Sequence, residues 1–149
     1  MLQFVREWKA KRAAARLGVD REQVQRVVYD TADLLDVQIR GIASTTLSDL
    51  YRADDRRALG YVAGFNFTWT SRSLGGENAQ QMALQGVFMR LSGSPGMGEC
   101  IQDYTASLRN DKTFRTGFLE GVKDAENALA YSKPPTGLVA ETQRKPYTE

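Results

Sequence analysis

Residues 58–89 of this chain read ALGYVAGFNFTWTSRSLGGENAQQMALQGVFM, and only two of them, Arg72 and Glu77, are charged. The uncharged run before Arg72 is shorter than the roughly 18 residues that a membrane-spanning helix needs, and it contains Asn66 and several hydroxyl side chains. The segment is therefore typical of a helix buried inside a protein. It predicts neither a membrane span nor a membrane partner.

Four large aromatic residues in this segment occupy more than one face of a helix: Tyr61, Phe65, Phe67 and Trp69. One such face can pack against the chain's own core, so another face needs a neighbour. Either the helix runs through the centre of a bundle, or it faces a second chain. Because large aromatic side chains supply most of the binding energy in protein interfaces, we predict these four residues as the anchors of a partner interface.

Apolar residues at helical spacing continue on both sides of this segment. Val24, Val27 and Val28 begin a stripe with the i, i+3, i+4 pattern of a core-facing helix, and Phe114 and Phe118 begin another. No segment alternates between apolar and polar residues for long enough to indicate a strand. The chain therefore predicts an all-α fold, a helical bundle of five to seven helices.

The composition predicts one domain. A chain of 149 residues with 42% hydrophobic and 26% charged residues is typical of a single soluble domain with its own core. Pro134 and Pro135 end the last helical pattern, and the residues after them are mainly polar. We predict a single all-helical domain over residues 1–131 and a flexible, disordered tail over residues 132–149.

Particular residue types mark the expected ends of the first two helices. A helix over about residues 2–17 is expected to stop at Gly18, which tolerates a left-handed backbone conformation. Asp20 is then expected to cap the amide groups at the start of the next helix. That helix should reach at least Arg40, where Gly41 indicates a break or kink.

Further boundaries are expected along the middle of the chain. The pair at 54–55, Asp-Asp, predicts a helix start because acidic side chains are favoured at the positive end of the helix dipole. That helix should end near residues 75–76, and Asn78 is predicted to cap the next one. The composition of SGSPGMG, residues 92–98, predicts a loop.

Two glycine pairs predict close contacts between helices. Gly60 and Gly64 lie four residues apart, and Gly117 and Gly121 repeat this spacing in a similar local sequence. A glycine inside a helix costs up to about 1 kcal/mol relative to alanine, so two such pairs indicate helix crossings that need the missing side chains. The similarity would also suit an internal duplication, but close packing is the favoured interpretation.

The residues that the chain lacks exclude several kinds of chemistry. It contains no histidine, which excludes His-activated nucleophiles, His-ligated metals and the most common general base. Cys100 is the single cysteine, so neither an intramolecular disulfide nor a zinc-finger ligand set is possible. We predict no enzyme activity, no cofactor and no metal. The N-terminal MLQFVREWKAKR lacks the apolar core of a signal peptide, and a cytoplasmic location is expected.

Residues 12–28 read RAAARLGVDREQVQRVV and lie in the most basic part of the chain, since residues 1–26 contain seven Lys and Arg against three Asp and Glu. Ala14 provides a small residue four positions before Gly18, and apolar residues follow the turn at helical spacing. In these features residues 10–28 resemble the helix-turn-helix motif of bacterial regulators.

The resemblance implies DNA binding by five side chains. Arg21, Gln25 and Arg26 would face base edges in the major groove, where Arg and Gln pair with guanine and adenine. Arg12 and Arg16 would lie near phosphate groups, where each contact adds salt-sensitive affinity.

The same residues also fit a simple corner between two packed helices. An Ala-Gly-Val pattern arises at such corners for steric reasons alone. Asp20 and Glu22 would lie at the end that reads DNA, where they would repel phosphates, and the helix that follows is longer than recognition helices usually are. The corner interpretation is favoured and DNA binding is the alternative.

Asp30, Asp33 and Asp36 recur at every third position, which suggests a cation site at first sight. On a helix, however, steps of three drift around the surface, so the carboxylates form a slanting row. Asp36 also lies one turn before Arg40, which favours a solvated, ion-paired face.

Taken as a set, these features predict a non-enzymatic, cytoplasmic helical-bundle protein that acts through protein–protein interaction, with a homodimer as the first expectation and another protein as the other partner. The alternative is a small DNA-binding transcriptional regulator that uses residues 10–28. A bundle that holds a small apolar ligand among its aromatic residues is a third interpretation.

Overall fold

The structure is a computed structural model that describes Val5, Lys9 and residues 18–41 and 45–131. Within these residues it contains six α-helices and no strand, which confirms the predicted all-α fold. In chain order the helices are α1 (Arg21–Arg40), α2 (Leu47–Arg52), α3 (Arg56–Ser73), α4 (Glu77–Ser92), α5 (Pro95–Ser107) and α6 (Lys112–Tyr131).

Three predictions about helices, breaks and the tail fall partly or wholly outside the described residues. Of the predicted first helix over residues 2–17, only Val5 and Lys9 are described, and both have helical backbone. The break or kink expected at Gly41 is followed by residues 42–44, which lie outside the described part of the chain. The predicted tail, residues 132–149, lies entirely outside the described part of the chain.

Aspartates start three of the helices, as the sequence predicts for two of them. The carboxylate of Asp20 accepts hydrogen bonds from the backbone amides of Glu22 and Gln23 at 3.1 and 3.2 Å. Asp55 accepts from the amide of Ala58 at the start of α3. Asp111 accepts from the third amide after it at the start of α6, 3.0 Å away. Each contact satisfies an amide that has no partner within its own helix.

Two predicted boundaries are wrong. Asn78 is not a cap, because α4 begins one residue earlier at Glu77 after Gly76, whose φ of +94° turns the chain there. The predicted loop over residues 92–98 shrinks to two residues, since α5 already begins at Pro95. Ser94 accepts from the amide of Met97, and proline is well suited to the first helical position, so the start signals outweigh the glycines that follow.

The core is a single cluster of buried apolar side chains to which all six helices contribute. Helix α3 lies at its centre, and Leu59, Val62 and Phe65 on this helix are completely buried. Leu35 of α1 and Val87 of α4 are equally buried against it. The low-charge segment therefore forms the middle of the bundle. Few of its side chains are charged, and buried polar ones such as Asn66 and Thr70 donate to backbone carbonyl oxygens.

Helix α6 packs chiefly on α3, and the predicted glycine pairs form the crossing. A Cβ atom at Gly60 would lie 2.1 Å from the carbonyl oxygen of Phe114, and one at Gly64 would lie 2.1 Å from that of Phe118. These distances are far below van der Waals contact, so the backbones touch where the side chains are missing. The prediction of a tight crossing is confirmed.

The contacts in this crossing are reciprocal. Gly117 faces the carbonyl oxygen of Arg57, and Gly121 faces that of Tyr61. In these four contacts the residues of α3 and their counterparts in α6 are 57 positions apart, as Gly60 is from Gly117. Because contacts advance in the same direction along both helices, α3 and α6 run parallel, and they are related by a local two-fold axis.

No helix in the described part of the chain is both long enough and apolar enough to cross a membrane. This agrees with the prediction from the hydroxyl and amide groups of α3.

Candidate functional site

The four aromatic residues predicted as partner anchors are divided between the inside and the outside of α3. Tyr61 and Phe65 are buried, with relative exposures of 1% and 0%, and Trp69 is half-buried. Phe67 has a relative exposure of 51%. Of the four predicted anchors, therefore, Phe67 is the one that the chain leaves exposed.

Helix geometry explains this division. Tyr61, Phe65 and Trp69 lie four residues apart and form one row, with ring centroids 6.1 and 5.6 Å apart along it. Phe67 is two residues from Phe65, about 200° around the helix, and so lies on another side. The three rings of this row stack on one another inside the bundle. Most of the aromatic surface that was predicted to contact a partner therefore contacts the chain itself.

Phe67 contacts α6 rather than standing alone. Its ring centroid lies 6.2 Å from that of Phe118, whose ring is in turn 6.2 Å from that of Phe114. Phe114 is buried and Phe118 half-buried, so the aromatic contacts run from the interior to the surface.

An exposed apolar surface extends from Phe67 along α6. We call it the apolar strip. It consists of Phe67, Phe118, Leu119, Val122 and Leu129. On α6, positions 118, 122 and 129 share one side of the helix, and Leu119 adjoins Phe118. Leu119 is 67% exposed, Leu129 is 38% exposed, and position 122 is half-buried.

The sequence interpretation missed the α6 part of this strip because it assigned the apolar residues of α6 to the core. The side of α6 that packs on α3 is the glycine side, at Gly117 and Gly121, and it needs few large side chains. Leu119, directly after Phe118, was the available signal, since it widens the apolar face beyond what one packed stripe requires.

Polar contacts connect α3 and α6 beside the glycines. Arg57 forms an ion pair with Glu120, and the hydroxyl of Tyr61 donates to Asp124. Arg57 and Tyr61 lie one turn apart on α3, as Glu120 and Asp124 do on α6. Near the other end Arg72 contacts Glu126 at 3.1 Å. The first two contacts lie away from the apolar strip, whereas Glu126 lies between Val122 and Leu129 on α6.

A second polar cluster joins the turns that precede α3 and α6. Arg56 contacts Asp54 at 3.1 Å and Asp111 at 2.6 Å, and the hydroxyl of Tyr104 donates to Asp54. The hydrogen bond from Tyr104, followed by Arg56, holds the pKa of Asp54 below its ordinary value. The backbone amide of Phe114, followed by Arg56, lowers the pKa of Asp111. The cluster lies on the surface and connects helices. Its charged and hydroxyl groups form hydrogen bonds and ion pairs with one another.

The predicted helix-turn-helix corner is described from Gly18 onward. Gly18 has a φ of +68°, which suits glycine, and Val19 after it is buried. Arg21 is half-buried, and the amide of Gln25 donates to the hydroxyl of Tyr29 at 2.8 Å. Arg26 is exposed.

Two members of the predicted DNA-binding set, Arg12 and Arg16, lie outside the described residues. The helix that follows the corner has 20 residues, and seven of them are buried along its length. It is therefore a core helix of the bundle, and this holds whether or not its exposed side binds DNA.

No group of three His, Cys, Asp or Glu side chains among the described residues is placed to hold a metal ion. In the predicted carboxylate row, Asp36 pairs with Arg40 at 2.9 Å, and Asp30 and Asp33 are exposed. The ion pair predicted between Asp36 and Arg40 is thus present.

Fold and surface together define a class, an all-α bundle built around a central aromatic helix and bearing an exposed apolar strip. No protein-family model, no curated protein and no solved structure matches this chain. Its function must therefore be inferred from its own residues.

Proposed function

We propose that this protein is a non-enzymatic helical-bundle protein that acts through protein–protein interaction, and that its first partner is a second copy of itself. The observation that supports the proposal is the apolar strip. Phe67 and Leu119, two large apolar side chains that are 51% and 67% exposed, lie on the same helix pair. Clustered exposed apolar residues of this kind mark interaction surfaces in soluble proteins.

The shape of the strip suits a two-fold dimer. Helix α6 has 20 residues and is therefore about 30 Å long, which is long enough to form the ridge of an interface of ordinary size. In a two-fold arrangement the same surface serves both subunits, so Phe67 of one subunit can pack against Phe118 of the other. Exposed aromatic side chains at the centre of such a contact supply much of its energy.

Size-exclusion chromatography with light scattering tests the proposal. We expect the wild-type chain to elute with the mass of a dimer, and the double variant Phe67→Ser/Leu119→Ser to elute as a monomer. Val37→Ser is the matched control, because Val37 is 72% exposed but lies on α1, outside the strip. This control should remain dimeric.

Circular dichroism of the wild-type chain, the double variant and Val37→Ser shows whether a variant has dissociated because it is unfolded. All three should give the same helical spectrum, since none of the changed side chains is buried. A wild-type protein that is monomeric at high concentration, or a Val37→Ser variant that dissociates as readily as the double variant, would contradict the proposal.

A cytoplasmic setting and the absence of enzyme activity belong to the same proposal. The single cysteine, Cys100, is exposed on α5, which suits a reducing compartment. The lack of histidine removes the usual acid–base group, as argued from the sequence.

DNA binding through residues 10–28 is the alternative proposal. Its support is the glycine corner and the exposed Arg26, whereas the half-buried Arg21 and the hydrogen bond between Gln25 and Tyr29 count against it. A mobility-shift assay with mixed genomic fragments at low salt distinguishes the two proposals. Binding that is lost in Arg21→Ala/Arg26→Ala and weakens steeply with salt would support DNA binding. No retardation would reject it.

A further inference from the structure

A surface groove runs between α1 and α4, away from the apolar strip. Its volume is about 610 Å³. Positions 82, 86 and 89 of α4 and Gly93 directly after this helix line it in one row. The row extends over 11 helical steps, from position 82 to position 93, or about 16 Å, so the groove is elongated and follows the helix axes. Val24 and Val28 of α1 form the opposite wall.

The groove combines an apolar floor with positive charge. Val24 and Val28 are buried, and Met82 and Met89 are half-buried beside them. Methionine side chains adapt their shape to what they contact, and they are frequent at surfaces that receive helices. At Gly86 a Cβ atom would lie 2.8 Å from the side chain of Val28. The glycine therefore allows α4 to pack closely against Val28 at the floor of the groove.

Among the described residues that line the groove, the charged ones are Arg21 and Arg90, and none is Asp or Glu. The guanidinium group of Arg90 lies over the ring of Tyr29, 4.2 Å from its centroid, which fixes the cation at the edge of the groove. The electrostatic potential of the groove therefore favours an occupant with negative charge beside an apolar side.

Two other occupants fit less well. Half of the twelve lining residues are exposed, so a small apolar ligand would remain in contact with water along one side, whereas an amphipathic helix presents a polar face there. The chain's own residues 1–17 contain five Lys and Arg against one acidic residue, and the two arginines would repel them.

We propose that the groove between α1 and α4 binds an acidic amphipathic helix of another protein. Three turns of such a helix match the length of the groove, its apolar side chains at i, i+3, i+4 and i+7 contact the valine and methionine floor, and its carboxylates face Arg90 and Arg21. This binding is separate from dimer formation, because the groove and the apolar strip share no residue.

A pair of designed peptides tests the proposal on the full chain. The acidic peptide has 14 residues with leucine at i, i+3, i+4 and i+7 and glutamate elsewhere, and its twin has lysine in place of each glutamate. Fluorescence anisotropy of the labelled peptides measures the affinity. We expect the acidic peptide to bind about tenfold or more tightly than the basic twin.

Arg90→Glu should weaken binding of the acidic peptide about tenfold or more, while Arg109→Glu should leave it unchanged. Both arginines are exposed and both changes alter the net charge equally, so the comparison separates the groove from the overall charge. Phe67→Ser should bind the acidic peptide like wild type, which distinguishes this proposal from the dimer.

Three results would overturn the proposal: equal binding of the two peptides, no binding of either, or equal weakening by Arg90→Glu and Arg109→Glu. Displacement of the acidic peptide by sodium oleate, with oleate binding more tightly and depending on Arg90, would also overturn it, since the groove would then be a site for an anionic lipid.

Discussion

Four glycines determine how closely α3 and α6 approach. Each has a backbone carbonyl oxygen of the other helix where its Cβ atom would lie, at distances between 1.9 and 2.2 Å. A helix normally loses stability when glycine replaces alanine in its interior. Here the loss is offset because the two backbones, and the polar side chains beside them, come into direct contact.

Alanine at these positions should therefore be strongly destabilising. We expect Gly64→Ala or Gly117→Ala to lower the free energy of unfolding by about 3 kcal/mol or more, because the added methyl group forces the helices apart. Gly96→Ala is the control, since nothing lies within 4 Å of its Cβ position in α5. Urea denaturation should show Gly96→Ala unchanged or more stable by up to about 1 kcal/mol. Equal losses in all three variants would contradict the role of the crossing.

Phe65 and Phe67 offer a matched pair on one helix. Phe65 is completely buried and Phe67 is 51% exposed, although they are two residues apart. At low protein concentration, where a dimer is dissociated, Phe65→Ala should lower the free energy of unfolding by about 3–5 kcal/mol. Phe67→Ala should lower it by less than about 1 kcal/mol under the same conditions. Similar losses for both variants would mean that the division of the aromatic residues is wrong.

Among the larger elements, the turns before α3 and α6 are joined by the cluster of Asp54, Arg56, Tyr104 and Asp111. Asp54 has a φ of +51°, a conformation that aspartate tolerates better than most residues other than glycine. Its carboxylate is held by Arg56 and by the hydroxyl of Tyr104. The cluster thereby fixes the start of α3 relative to α5 and α6.

The cluster should make stability depend on acidic pH. The pKa values of Asp54 and Asp111 are lowered in the folded protein, so their ionisation stabilises it. This contribution is fully present above the unfolded-state pKa of about 4 and is lost as the pH falls from there through the lowered folded-state values. Urea melts at several pH values should show stability declining over this range.

The variant Asp111→Asn tests the assignment, because it removes one titrating group and leaves a side chain that can still accept from the amide of Phe114. Its stability should be lower than that of wild type at neutral pH and should decline less steeply in acid. A decline as steep as that of wild type would show that the acid sensitivity arises elsewhere.

Helix boundaries were predictable wherever a local interaction sets them. Asp20 and the pair at 54–55 start helices in the structure as expected, because capping depends on residues within one turn. The glycines around Pro95 predict a loop, and this prediction is wrong because a helix begins at Pro95. Gly98 in this segment serves a distant contact instead, since a Cβ atom there would lie 2.7 Å from the backbone of Met89.

For the molecule as a whole, the all-α fold and the central position of α3 follow from the sequence, whereas its surfaces do not. Which aromatic residues are exposed depends on the side of α3 that α6 covers, and that side is set by the glycine crossing. The exposed apolar strip and the groove both arise between helices that are distant in the chain. Helical periodicity describes one helix at a time, so it could not place Phe67 beside Phe118.

The central claim is that one side of the aromatic helix is internal, and we propose that the exposed half of Phe67 contacts a second subunit. Fluorine NMR of protein containing 4-fluorophenylalanine tests it directly, with signals assigned by single Phe→Leu variants. Between about 10 µM and 1 mM, a range that spans moderate dimer affinities, the signal of Phe67 should shift with concentration while that of Phe65 stays constant. A Phe67 signal that stays at its solvent-exposed position throughout, or a concentration-dependent Phe65 signal, would contradict the claim.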